Sequence, residues 1–296
     1  MAESQKYDPR VLELFDGYVH GKVSRRQFLD RAAAFTVSGV SAATILASLS
    51  PDYSLAQQVS PDDKSISVGY KKYESAKGGG VIQGYFARPA LVDHRLPGVI
   101  VIHENRGLNP YIEDVARRLA IAGFVAFAPD ALWPLGGYPG NDDDGRTMQR
   151  ERDGAEMVED FVAAVEFLQQ HPDCTGEVGS VGFCFGGGMS MRLAVLIPDL
   201  AASVAFYGRH PSAEDAASIK APLMLHHAGL DERVNASWPA FESALQAQDT
   251  NYVNYLYADV NHGFHNDTTP RYDKESAALA WQRTVEHFSK YLSPDG

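Results

Sequence analysis

Gly182-Phe183-Cys184-Phe185-Gly186-Gly187-Gly188 is the stretch on which the reading of this chain turns. It follows the apolar run Glu177-Val178-Gly179-Ser180-Val181 and leads into a helical pattern from Gly186 to Leu196. A nucleophile held between glycines at a strand-to-helix junction sits on a strained turn, where a β-carbon on either flank would meet neighbouring backbone. The amino end of the helix adds unpaired N–H groups and a dipole that favour a thiolate. Taken alone, the stretch also fits a glycine-rich turn around a buried, inert cysteine. It does not meet the Gly-x-Gly-x-x-Gly spacing of a dinucleotide site, so no cofactor is expected.

Outward from this turn, short apolar runs alternate with helical patterns. Ser67–Tyr70 and Gly80–Phe86 alternate about the turn signal Gly78-Gly79 and predict an antiparallel hairpin. Gly98–Ile102 leads to a helix near Ile112–Ala122, and Phe124–Ala128 follows. Asp144 to Gln170 reads as one long amphipathic helix. Ala201–Tyr207, Pro222–His226 and Tyr252–Tyr257 are further strands, with helices over Trp238–Gln246 and Lys274–Leu292. Such alternation implies right-handed crossovers and an α/β fold: a mostly parallel sheet with helices on both faces.

Two more residues then fall into place. Asp231 lies in Gly229-Leu230-Asp231-Glu232-Arg233, just past the strand ending at His226. His262 lies in Asn261-His262-Gly263, just past the strand ending at Tyr257. Nucleophile, acid and base in that chain order, each after a strand end, are the α/β-hydrolase order. Loops at the carboxyl ends of strands gather on one edge of an open sheet, so the three side chains can meet.

With these motifs the segment from about residue 67 to 292 resembles the dienelactone hydrolase (carboxymethylenebutenolidase) family. The resemblance implies an α/β-hydrolase fold that cleaves a small ester or lactone through a Cys184–His262–Asp231 triad and a thioester. It implies that Glu104, in His103-Glu104-Asn105-Arg106, hydrogen-bonds the resting thiol, and that the backbone N–H groups of Asn105 and Phe185 form an oxyanion hole. The family grips its substrate's carboxylate with arginines, one shortly after the catalytic histidine. Here no arginine follows His262 before Arg271, and Arg146, Arg150 or Arg152 would have to serve.

The chain has 296 residues, a net charge of −12 and a sequence pI of about 5.2. The acidity argues against nucleic acid, whose binding needs clustered Lys and Arg. Two cysteines make neither a disulfide framework nor a zinc site, and Cys174, in a polar stretch, reads as a loop thiol. A rival from another class is a metal-dependent hydrolase or metal-binding protein using His103, His226, His227, His262 and His265, although no pair has helical zinc-motif spacing. A non-catalytic protein on the same fold is the second rival.

Residues 1–56 stand apart from 57–296. Ser24-Arg25-Arg26-Gln27-Phe28-Leu29 resembles a twin-arginine signal, followed by an uncharged run and by Ser54-Leu55-Ala56, which would place the protein in the periplasm. Six of the 20 residues from Ala32 to Pro51 are Ser or Thr, too polar for a stable membrane span. The competing expectation is a helical hairpin retained in the cytoplasm: Ser24 with Gln27 is a capping box, and Asp8-Pro9 can open a helix ending near Gly21. Its apolar stripe of Leu12, Phe15, Phe28 and Phe35 would need cover, from a second copy in a homodimer or from the groove near the active site.

Overall fold

The structure, a computed structural model, describes residues 7–36 and 41–292. Its centre is an eight-stranded sheet: β1 (Ile66–Ser75), β2 (Gly80–Pro89), β3 (Leu96–Ile102), β4 (Val125–Pro129), β5 (Cys174–Phe183), β6 (Ala202–Phe206), β7 (Leu223–Ala228) and β8 (Tyr252–Tyr257). The spatial order is β1-β2-β4-β3-β5-β6-β7-β8. β1 and β2 form the expected antiparallel hairpin, from Ile66 opposite Pro89 to Ser75 opposite Gly80, and β2 meets β4 antiparallel. Every other pairing is parallel. This is the α/β-hydrolase-type sheet anticipated from the alternation of elements.

β3 shows why the central strands read as unbroken apolar runs. Val99 and Val101 point into one core, and Ile100 and Ile102 into the core on the other face, because successive side chains alternate across a strand. Helices α4 (Pro110–Ile121) and α11 (Lys274–Tyr291) cover the first face through Tyr111, Ile112, Val115, Ala280 and Phe288. Helices α6 (Gly154–Gln169), α7 (Phe185–Leu196) and α10 (Trp238–Ala247) cover the second through Phe161, Val165, Leu193 and Phe241.

Two expectations need correction here. The single helix over 144–170 is two, α5 (Asp142–Glu151) and α6, because the Asp153 carboxylate accepts from the N–H groups of Ala155 and Glu156 and starts a new helix. Cys174 is not a loop thiol; it opens β5 and is fully buried.

The amino-terminal segment is helical: α1 (Pro9–Val19), α2 (Arg25–Ala32) and α3 (Ala42–Leu49). Asp8 caps α1 with Pro9 at its first position, and Ser24 and Gln27 form the reciprocal capping box of α2. Leu12, Phe15 and Phe28 are buried in a small core with Val11, Ile45 and Leu49. Phe35 is only partly buried, under the Arg10 guanidinium at 4.6 Å. This core abuts the sheet-bearing part of the chain: the Tyr18 hydroxyl bonds Asp143, Arg146 lies 5.1 Å over the Tyr18 ring, and Arg271 lies 5.2 Å over Phe15. Among the described residues no helix is long and apolar enough to cross a membrane. Two short helices complete the order, α8 (Ala213–Ala216) and α9 (Glu232–Asn235).

Candidate active site

Cys184 joins β5 to α7 with φ 56° and ψ −112°, a left-handed backbone for a residue with a β-carbon. Such a conformation costs about 1–3 kcal/mol and persists where the surroundings over-determine it. The flanking glycines do so by close approach. A β-carbon on Gly182 would lie 1.8 Å from the Gly186 carbonyl oxygen, and one on Gly186 would lie 2.2 Å from that of Ile102. The turn thrusts the sulfur into a cavity of about 400 Å³ at the carboxyl edge of the sheet.

Asp231 and His262 converge on the same cavity. Asp231 caps α9: one carboxylate oxygen accepts from the Val234 N–H at 3.2 Å, and the other meets His262 Nδ1 at 2.5 Å. With Nδ1 so engaged, the buried Nε2 is the nitrogen left to act on the sulfur. Tyr207, at the end of β6, lays its ring 4.9 Å from that of His262.

A third group also reaches the sulfur. His20, directly after α1, places Nε2 3.4 Å from Cys184 Sγ and packs edge-to-face on His262 at 4.8 Å between ring centres. Burial opposes a thiolate here, but the positive charges of His262 and His20 outweigh it and hold the Cys184 thiol well below its ordinary range. Burial likewise opposes charge on His262, yet the thiolate and Asp231 push its pKa up to about 10. Against burial, the same His262 contact keeps Asp231 below the usual carboxylate range. Burial alone dominates at Cys174 and pushes that thiol up. One cysteine is thus arranged for nucleophilic chemistry and the other is not.

Glu104 is engaged by partners other than the thiol. Its carboxylate pairs with Arg106 Nη2 at 3.0 Å and accepts from Asn266 Nδ2 at 3.0 Å, so the thiol's hydrogen-bond partner is His20 in place of the expected Glu104. Asn105 and Phe185 do line the cavity beside the sulfur, and the Asn105 side chain donates to the Val19 carbonyl at 2.7 Å. Phe185 opens α7, where a first-turn N–H has no helical acceptor.

The expected substrate arginines are elsewhere. Arg146 is taken up by Asp143 and the Tyr18 ring, Arg150 by Thr147, and Arg152 by Asp160 at 2.7 Å. The cavity is lined instead by Arg192, Arg209 and Arg233. Arg192 is paired with Asp215 at 3.2 Å, and Arg233 reaches His20 and His262. The reason is geometric: α5 packs beneath α1, while the cavity opens toward α7, α8 and α9.

The histidines of the metal reading do not converge. His103 bonds the Glu104 carbonyl and the Ala131 N–H, His226 bonds Tyr257 and Thr284, His227 bonds Asn254 and His210, and His265 bonds Tyr111. Among the described residues, the one set of ligand-type atoms close together is His20, Cys184 and His262, within 4.8 Å of one another. His20 and Arg233 escaped the sequence reading. A histidine at a helix end carries no local signal of a cysteine 164 positions away.

The dienelactone hydrolase family model matches residues 82–292, and a second model, YqhI-like, matches residues 2–35. The "Putative hydrolase fragment YghX" of Escherichia coli K12 is 54% identical over 105 residues, 36% of this chain and 90% of the relative. The "Putative carboxymethylenebutenolidase" of Salmonella typhi is 30% identical over 250 residues, 79% of this chain and 91% of the relative. A crystal structure described as a "Putative Dienelactone Hydrolase" from Klebsiella pneumoniae superposes with a TM-score of 0.68 at 25% identity, covering 76% of this chain and all of that one. With its parallel sheet, strand-end site and family match, the chain belongs to the dienelactone hydrolase family and is a hydrolase acting on carboxylic esters.

Proposed function

We propose that the chain cleaves small esters or lactones through a thioester acyl-enzyme, with Cys184 as nucleophile, His262 as proton carrier and Asp231 as its orienting carboxylate. The observation that carries this reading is the strained Cys184 turn facing a histidine whose far nitrogen is fixed by Asp231. The thiolate attacks the carbonyl carbon, the C–O bond breaks, and imidazolium His262 protonates the departing alkoxide. His262 then takes a proton from water, whose oxygen attacks the thioester and expels the thiolate. The N–H groups of Asn105 and Phe185 would hold the oxyanion. Arg209 and Arg233, rather than Arg146 and Arg150, offer an anionic substrate group its counter-charge. Turnover of an ester and lactone panel, abolished in Cys184→Ala, is the expected outcome; turnover that survives the substitution refutes the reading.

We further propose that residues 1–56 remain on the protein, with twin-arginine export to the periplasm as the competing fate. What supports retention is burial around the candidate cleavage site. Ala56 is 2% exposed, its carbonyl accepts from Arg117 at 3.3 Å, and the Val59 N–H is held by Asp114 at 2.9 Å. The mature amino terminus in the native host decides: a terminus at residue 1 or 2 supports retention, and one near residue 57 supports export.

A further inference from the structure

The Cys184 sulfur lies between two aspartate–histidine pairs. On one side Asp231 holds His262 Nδ1 at 2.5 Å. On the other, His20 Nδ1 lies 2.8 Å from the Asp16 carbonyl oxygen and 3.1 Å from its carboxylate Oδ1. The carbonyl can only accept, so Nδ1 carries the hydrogen and Nε2 faces the sulfur at 3.4 Å. Arg233 spans the pairs: Nη2 is 3.1 Å from His20 Nε2 and 3.3 Å from His262 Nδ1, and Nε is 3.4 Å from Asp16 Oδ2. Position is secured at the end of α1, where the Val19 carbonyl accepts from Asn105 and Gly21 turns the chain with φ +77°. The groups facing His20 are therefore Asp16 from α1, Cys184 from the turn into α7, His262 from the loop after β8 and Arg233 from α9.

A buried thiol ionises only if a base takes its proton and a charge then holds the anion. Glu104, the carboxylate expected to control this thiol, is engaged with Arg106 and Asn266. His262, its Nδ1 held by Asp231, must stay protonated to deliver a proton to the leaving alkoxide. We propose that His20 is a second catalytic imidazole, delivered by the amino-terminal helix, that takes the proton of the Cys184 thiol and holds the sulfur as a thiolate, with Asp16 as its positioning residue. The S–H bond breaks, an Nε2–H bond forms on the lone pair that had faced the Arg233 N–H, and a thiolate–imidazolium pair results as that contact is given up. His262 remains protonated for the acylation step. The assignment rests on Cys184 being the nucleophile, and it makes the carboxyl end of α1 part of the active site.

The test is the pH dependence of Cys184 alkylation by iodoacetamide in the full-length chain, followed on the Cys184 peptide by mass spectrometry. This readout does not depend on ester turnover. In the unaltered protein the rate should hold its plateau through neutral pH. His20→Ala should raise the midpoint by a pH unit or more, lowering the rate at neutrality about tenfold, with kcat falling and KM little changed. His20→Gln keeps the shape without the base and should behave alike should the alanine variant misfold. Asp16→Asn should move the midpoint the same way by less. An unmoved midpoint in folded His20→Gln or His20→Ala overturns the proposal and leaves the triad standing. Turnover that survives Cys184→Ala instead removes the nucleophile, and the catalytic assignment of His20 with it.

Discussion

His20 Nε2 lies 3.4 Å from Cys184 Sγ, though the two residues are 164 positions apart and belong to segments that match different family models. The contact ties the fate of the amino terminus to the reactivity of the thiol.

That tie predicts the outcome of truncation. Deleting residues 1–56 removes His20 and uncovers Arg271, a residue only 4% exposed whose guanidinium lies against the Phe15 ring. The shortened protein should melt lower and alkylate more slowly at neutral pH. Phe15→Ala alone should destabilise by about 3 kcal/mol, as expected for emptying a buried aromatic site. Equal melting temperatures for full-length and shortened proteins would show that the segment contributes nothing to the fold.

Asp231→Asn and His262→Ala should each reduce kcat by about 10²–10⁴-fold with the fold retained, as for other triads. Because the two residues act as one unit, the double variant should be little worse than His262→Ala. Losses that multiply, read from steady-state kinetics, would mean that they act separately.

Stability should be flat between about pH 6.5 and 9 as far as the Cys184–His262 pair is concerned, and fall on either side. His262, ordinarily near 6.5 and raised to about 10, contributes stability that is full below 6.5 and lost as pH rises to 10. Cys184, ordinarily near 9 and lowered, contributes stability that is full above 9 and lost as pH falls through its depressed value. Across the overlap the two slopes cancel. Melting curves of the protein and of Cys184→Ala against pH check this: the variant should lose the decline toward low pH that belongs to the thiolate.

Much of this was legible in the sequence, for identifiable reasons. The nucleophile turn follows from glycines that no other residue can replace, as the 1.8 Å clash at Gly182 shows. The hairpin follows from Gly78-Gly79, and the positions of Asp231 and His262 follow from their places after β7 and β8. What stayed hidden depends on how distant segments pack. Arg146, Arg150 and Arg152 have the chemistry for a carboxylate, but Asp143, Thr147 and Asp160 engage them, a competition that spacing does not show. The role expected of Glu104 went the same way, to Arg106. Phe15 and Phe28 announced a face in need of cover, and the helix end carrying His20 settled against the catalytic edge.

The arginines give a further prediction. For an ester bearing a carboxylate, Arg209→Ala should raise KM about tenfold, roughly the worth of one charge-assisted hydrogen bond, and leave a neutral ester unaffected. Arg150→Ala should change neither. A KM effect confined to Arg150→Ala would return substrate binding to α5.

A chelator such as EDTA should leave turnover unchanged. In the proposed steps Cys184, His262 and His20 supply the nucleophile and every proton transfer, so no metal ion is called for. Loss of activity in EDTA, restored by zinc, would favour metal-dependent hydrolysis.

The central claim is that the acyl group passes through the Cys184 sulfur, and trapping that intermediate tests it most directly. The protein is mixed with an activated acetate ester, quenched in acid and digested for peptide mass spectrometry. The account predicts an acetyl group on the peptide containing Cys184, none on the peptide containing Cys174, and no acetylation or turnover in Cys184→Ala. Turnover at the full rate in Cys184→Ala, or an acetyl group carried on any other residue of the working enzyme, would contradict it.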